Sequence, residues 1–121
     1  RSSVDSAKYD VARTVGAGFD LMGCEVEYTG SYPGWAPNPK SEIKDVLERI
    51  YSEMFGEPAK VLAIHAGLEC GIIGERYPGL DMISFGPTIK NPHSPDEKVN
   101  IASVQKFWGF LLRVIAEIPA K

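Results

Sequence analysis

The strongest pattern in the chain runs from Ile43 to Phe55. Ile43, Val46, Leu47, Ile50, Tyr51, Met54 and Phe55 recur at i, i+3, i+4, i+7, i+8, i+11 and i+12. That spacing puts every one of them on a single face of an α-helix. Ser41 stands in front as an N-cap and Gly56 behind as a stop. A second helix is predicted at the C-terminal end, capped by Asn100 and closed by Pro119. Its apolar face comprises Ile101, Val104, Phe107, Trp108, Leu111, Leu112, Ile115 and Ile118, and reads as core. A weaker helix near the start carries Val11, Val15, Phe19 and Met22 on one face, with Asp5 or Ser6 as cap and Gly23 as stop. Gly16 and Gly18 weaken it by about 1 kcal/mol each relative to alanine. Close packing against a sheet would account for both.

Between the helices the period changes. Cys24, Val26 and Tyr28 alternate with Glu25, Glu27 and Thr29, as in a strand with one wet face. Val61 to Ile64 is all apolar, the mark of a strand buried on both faces. Leu80 to Phe85 reads as another strand, and Arg1 to Val4 as the end of one. A short helix is expected over Ile72 to Arg76, stopped by Pro78-Gly79. The chain therefore reads strand, helix, strand, and then from Ser41 helix, strand, short helix, strand, helix. The fold class is α/β, a layer structure. The run from Gly30 to Pro39 holds three prolines and two glycines and marks the best candidate for a domain boundary. Tyr32 and Trp35 within it read as packing residues, with contact to a ligand as the alternative.

Two loops follow predicted strands, where sites in open α/β sheets lie. One is His65-Ala66-Gly67-Leu68-Glu69-Cys70-Gly71. A glycine at a strand-to-helix turn lets backbone approach a ligand closely, and a turn without a ligand is the equal alternative. The other runs from Gly86 to Glu97 and presents His93 beside Asp96 and Glu97. Three prolines and a glycine stiffen it, because each proline restricts its own φ and its predecessor. Such a loop aims an imidazole at a ligand; the competing reading is a turn with a surface histidine. A catalytic zinc takes about three protein ligands. His65 and His93 with Glu69 or Asp96 make such a set only in principle, since no local spacing joins them. There is no CxxC or HExxH pair, no phosphate-cradling glycine motif and no nucleophile elbow.

Composition narrows the classes. At 121 residues, 44% hydrophobic and 24% charged, the chain suits one ordinary soluble domain. A net charge of −3 with no basic run argues against a dedicated nucleic-acid binder. No apolar stretch is long enough to span a bilayer. Cys24 and Cys70 read as reduced thiols of a cytosolic protein, with one disulfide as the alternative. The opening Arg1-Ser2-Ser3-Val4 lacks a methionine and starts in mid-element, so the chain is expected to be a fragment of a longer polypeptide.

Three runs carry a resemblance: Ile64 to Gly71, Gly79 to Ile89, and His93-Ser94-Pro95-Asp96-Glu97. They resemble the C-terminal part of the aminoacyl-histidine (Xaa-His) dipeptidases, also called cytosol non-specific dipeptidases. That group belongs to the co-catalytic zinc peptidases, with peptidase T and glutamate carboxypeptidase. The likeness extends through Tyr32-Pro33-Gly34-Trp35 to Arg1-Ser2-Ser3, nearly the whole chain. It implies a strand-helix-strand half of a lid (dimerisation-type) domain over residues 1–35. Residues 36–121 would form the C-terminal part of the catalytic α/β domain. It implies two divalent metal ions, zinc, in the full-length enzyme, with His93 as the last metal ligand. Arg1 matches a lid arginine that grips the substrate's C-terminal carboxylate, and Gly67 a glycine whose backbone approaches the substrate. The bridging aspartate and the glutamate general base lie outside this chain, so the chain alone is expected to be inactive and to contribute no catalytic residue. His65, Glu69, Asp96 and Glu97 receive no assigned role. The implied partners are a dipeptide, the remainder of the same polypeptide and a second copy in a homodimer, in the cytoplasm. Two other readings stand beside this one. One is a non-catalytic α/β module for subunit or partner binding; the other is a related tripeptidase or N-deacylase.

Overall fold

The computed structural model describes residues 1–64 and 68–118. Its elements are α1 (Asp5–Leu21), α2 (Glu42–Phe55), α3 (Leu68–Arg76), β1 (Ile89–Lys90), β2 (Lys98–Val99) and α4 (Ile101–Glu117). The chain divides into two compact units, one of Arg1–Lys40 with Leu62–Asp81, the other of Ser41–Val61 with Met82–Lys121. Among the described residues the architecture is helix-rich with one small antiparallel ladder, β1 against β2. No described helix is long and apolar enough to cross a membrane.

This corrects the strand assignments. Arg1 to Val4, Cys24 to Thr29, Val61 to Ile64 and Leu80 to Phe85 carry no ladder. A helix satisfies its N–H and C=O groups within itself, whereas a strand needs a neighbour to receive them. Alternation and apolar runs mark segments fit for a sheet, and without a paired neighbour they remain irregular.

The second unit holds the core. Leu47 and Ile50 of α2 pack against Phe110 and Val114 of α4, and Ile50 is fully buried. Ile43, Val46, Tyr51, Phe55 and Ile83 close around them. Phe110 receives Tyr51 edge-on at 5.6 Å and Phe85 edge-on at 5.5 Å between ring centroids, arrangements that suit the ring quadrupoles. Ser41 is buried and its hydroxyl accepts the Lys44 N–H at 3.1 Å, and Gly56 ends α2 with φ +70°. The expected face of α4 is the part that changes. Ile101, Trp108, Leu112 and Ile115 are exposed, while Phe110 and Val114 are buried. The apolar arc of this helix covers more than half of its circumference, with Gln105, Lys106, Arg113 and Glu117 on the other side, so its sequence does not select which part of the arc packs; the neighbour α2 does.

On the outer edge of this helix pair, Glu117 accepts from Arg49 at 2.7 Å and pairs with Arg113. The Arg49 guanidinium first, then Arg113, holds its carboxyl below the usual range against the opposing effect of burial. A carboxyl lowered on folding stabilises the fold above its unfolded pKa, and that contribution is lost as pH falls through the folded value. Glu117→Gln should therefore lower Tm at pH 7, and the gap from wild type should narrow as pH falls through the lowered titration range of this carboxyl. Melts across a series of acidic pH values check this; a gap that does not change with pH assigns Glu117 a role other than charge pairing.

In the first unit, α1 starts after Val4, which makes no side-chain cap. Asp5 lies in the first turn instead. It pairs with Lys8 at 2.9 Å and accepts the Gly34 N–H at 3.0 Å, and those two contacts hold its carboxyl low. The apolar face assigned to α1 is exposed at Val11, Val15, Phe19 and Met22. Its buried position is Gly16, covered by Tyr28 and Val26, with the Tyr28 hydroxyl donating to Ala12 O at 3.2 Å. Gly18 faces open space. Cys24 and Cys70 are free thiols.

Candidate functional site

The His93 loop is held from the base outward. Its ladder has two pairs, Ile89 with Val99 and Lys90 with Lys98. Two lysines directly opposite disfavour pairing, so other bonds must carry the hairpin. Asn100 N–H donates to Thr88 O at 3.0 Å, and Thr88 N–H donates to Ser103 Oγ at 2.9 Å. Ser103 Oγ donates in turn to Asn100 O at 2.7 Å, and Asn100 Oδ1 caps α4 by accepting the Ser103 N–H at 2.9 Å. Asn100 and Ser103 thus tie the hairpin to the first turn of the helix that carries Phe110 and Val114. The histidine loop is not the end of a strand, as its sequence predicts, but the connection between two short strands.

Within the loop a single turn closes on itself. Ser94 Oγ donates to Asn91 O at 2.8 Å and accepts the Asp96 N–H at 3.2 Å; Glu97 N–H donates to Ser94 O at 3.1 Å. Glu97 Oε2 reaches back to accept the His93 N–H at 2.7 Å. The Ser-x-x-Glu spacing is that of a capping box, but its two side-chain bonds each go one residue earlier, to the Asp96 and His93 N–H groups. Asn91 and His93 have φ of +52° and +62°. Asparagine tolerates the left-handed region; histidine is strained there by about 1–2 kcal/mol. His93, Asp96 and Glu97 are exposed.

An exposed imidazole on a braced loop suits metal ligation or proton transfer. Among the described residues no group of three His, Cys, Asp or Glu side chains comes together to hold a metal ion. The Glu97 carboxylate of the turn already receives the His93 N–H. The loop therefore fits one donor of a larger ligand set and does not fit a self-contained metal centre. His65 and Gly67 lie outside the described residues. Glu69 is in the first turn of α3, where it adds to the effect of burial in pushing the Cys70 thiol up.

Arg1 is exposed at the other candidate position, in the first unit. The backbone beside it is tightly packed. A Cβ on Gly34 would lie 2.7 Å from Ser3 O and 2.9 Å from Ser2 O. A Cβ on Gly71, in α3, would lie 2.5 Å from Pro33 O. Lys8 Nζ donates to Tyr32 O at 2.5 Å. The Tyr32-Pro33-Gly34 segment is thus wedged between the Arg1 segment and α3. Sequence reasoning missed Glu97 and Ser94 as braces, although their spacing was a visible signal. It also missed Gly34 and Gly71 as contact points, which no local pattern announces.

The chain is 43% identical over all of its 121 residues to the cytosol non-specific dipeptidase of Escherichia coli (strain K12). It spans about a quarter, 25%, of that protein's length. The family model described as peptidase family M20/M25/M40 matches residues 4–117. With residues 4–117 matched, nearly its whole length, the chain belongs to peptidase family M20/M25/M40.

Proposed function

We propose that this chain is the C-terminal part of a metal-dependent dipeptidase that hydrolyses dipeptides, notably Xaa-His. The observation that carries the reading is the braced His93 loop in a chain of the M20/M25/M40 family. His93 supplies one ligand, and the remaining ligands and the glutamate general base come from the rest of the enzyme. Two divalent ions, zinc in this reading, would activate water and polarise the scissile carbonyl when bound. Arg1 holds the dipeptide's C-terminal carboxylate, to which a guanidinium fork offers two parallel hydrogen bonds. The Gly67 backbone lies along the substrate. Residues 1–35 belong to a lid that also forms a homodimer contact, and residues 36–121 to the catalytic domain. The enzyme acts in the cytoplasm, and the 121-residue chain alone is inactive because one donor cannot assemble the centre.

Arg1→Ala in the full-length enzyme tests the substrate end of this reading. A charge-assisted contact is worth about 1.5–3 kcal/mol, so kcat/KM on Ala-His should fall about tenfold to a hundredfold. Metal content should not change. Kinetics within a factor of two of wild type would remove Arg1 from the site.

A further inference from the structure

We infer that Glu97 is a positioning residue that holds the His93 backbone in the left-handed conformation from which its imidazole is presented. The inference rests on the reading of His93 as a metal ligand and adds the group that fixes it. Proline restricts most of this loop. Pro92 and Pro95 fix their own φ, and each limits the residue before it, Asn91 and Ser94. His93 is the residue between them that neither proline governs. It nonetheless holds φ +62°, a conformation that a β-carbon disfavours. Its own N–H is bound by the Glu97 carboxylate at 2.7 Å, a short charge-assisted bond. Ser94 shapes the turn by bonds to Asn91 and Asp96, but the Glu97 bond acts on His93 itself. Without it, His93 relaxes towards negative φ, and the Cα–Cβ direction that aims the imidazole turns with it. Glu97 thus governs metal affinity without coordinating an ion, as partners outside a ligand shell do.

The test compares Glu97→Ala, Glu97→Asp, Glu97→Gln and His93→Ala in the full-length enzyme. Zinc affinity is read by competition with a chromogenic chelator, loop opening by amide exchange of the 91–97 segment in metal-free protein, and stability by Tm. Glu97→Ala should speed exchange at His93 and weaken one zinc by about 10- to 100-fold, with Tm unchanged. Glu97→Asp keeps the charge but is one methylene too short, and should behave like alanine. Glu97→Gln offers an amide oxygen to the same N–H and should restore most of the affinity. If Glu97→Ala binds zinc as wild type while His93→Ala loses an ion, the positioning role is overturned and the ligand reading stands. If Glu97→Gln is as impaired as alanine while aspartate is not, Glu97 acts through its charge, and positioning is again overturned. If His93→Ala keeps both ions, the ligand reading falls, and this inference with it.

Discussion

On the reading proposed for His93, His93→Ala in the full-length enzyme should lose one of two metal ions, and dipeptide hydrolysis should collapse with it. Alanine offers no lone pair in place of the imidazole, and each ion has only a few ligands to lose. The fall in activity should exceed the roughly 10- to 100-fold that follows loss of a partner outside the ligand shell. The fold should survive. His93 is exposed, the hairpin is tied to α4 through Thr88, Asn100 and Ser103, and the buried residues Leu47, Ile50, Phe110 and Val114 are untouched. Alanine meets the same left-handed strain as histidine, so backbone strain does not change sign. Metal analysis by mass spectrometry and a thermal melt separate the outcomes. His65→Ala is the control, since no ligand role is assigned to it. A His93→Ala protein with two ions and full activity refutes the assignment; one that unfolds makes His93 structural.

The parts legible in the sequence are those whose bonds close locally. α2 appears at the predicted place with its Ser41 cap and Gly56 stop, because capping and a 3.6-residue period need only neighbours in the chain. Asn100 as the cap of α4 is of the same kind. The side of α4 that packs was not legible. The pattern does not tell Phe110 and Val114 apart from Ile115 and Trp108, since all are apolar and only the position of α2 distinguishes them. The strands fail for the complementary reason: Val61 to Ile64 has the right composition, but pairing is a property of two segments. The histidine loop stands between these cases. Its prolines announce stiffness, but the roles of Ser94 and Glu97 in its turn are not read from the sequence. The Glu97 to His93 bond and the positive φ of His93 emerge only from the folded backbone.

The wedge around Pro33 leads to the second large effect, at Gly71. Gly71→Val should lower Tm by more than about 10 °C, from about 3 kcal/mol of overpacking. Glycine in a helix is normally a weak point, and replacing it in open space gains up to about 1 kcal/mol. Gly71 is different because it is buried and a Cβ there would sit 2.5 Å from Pro33 O. That oxygen is backbone and cannot swing aside. Nor can the turn retreat easily, since a Cβ on the adjacent Gly34 would itself lie 2.7 Å from Ser3 O. Valine adds two further carbons to the forbidden one and is a poorer helix former. Gly109→Ala is the matched control: it lies in α4 with open space at its Cβ position, and should leave Tm unchanged or raise it. The functional consequence follows from the neighbour on the other side of the wedge. Pushing Pro33-Gly34 outward displaces Ser2 and Ser3, and Arg1 with them. With Arg1 at the substrate carboxylate as proposed, Gly71→Ala, the milder change, should therefore raise KM for Ala-His in the full-length enzyme while metal content stays intact. Equal melting points for Gly71→Val and Gly109→Ala would show that α3 and the Pro33 turn do not meet as closely as this packing requires.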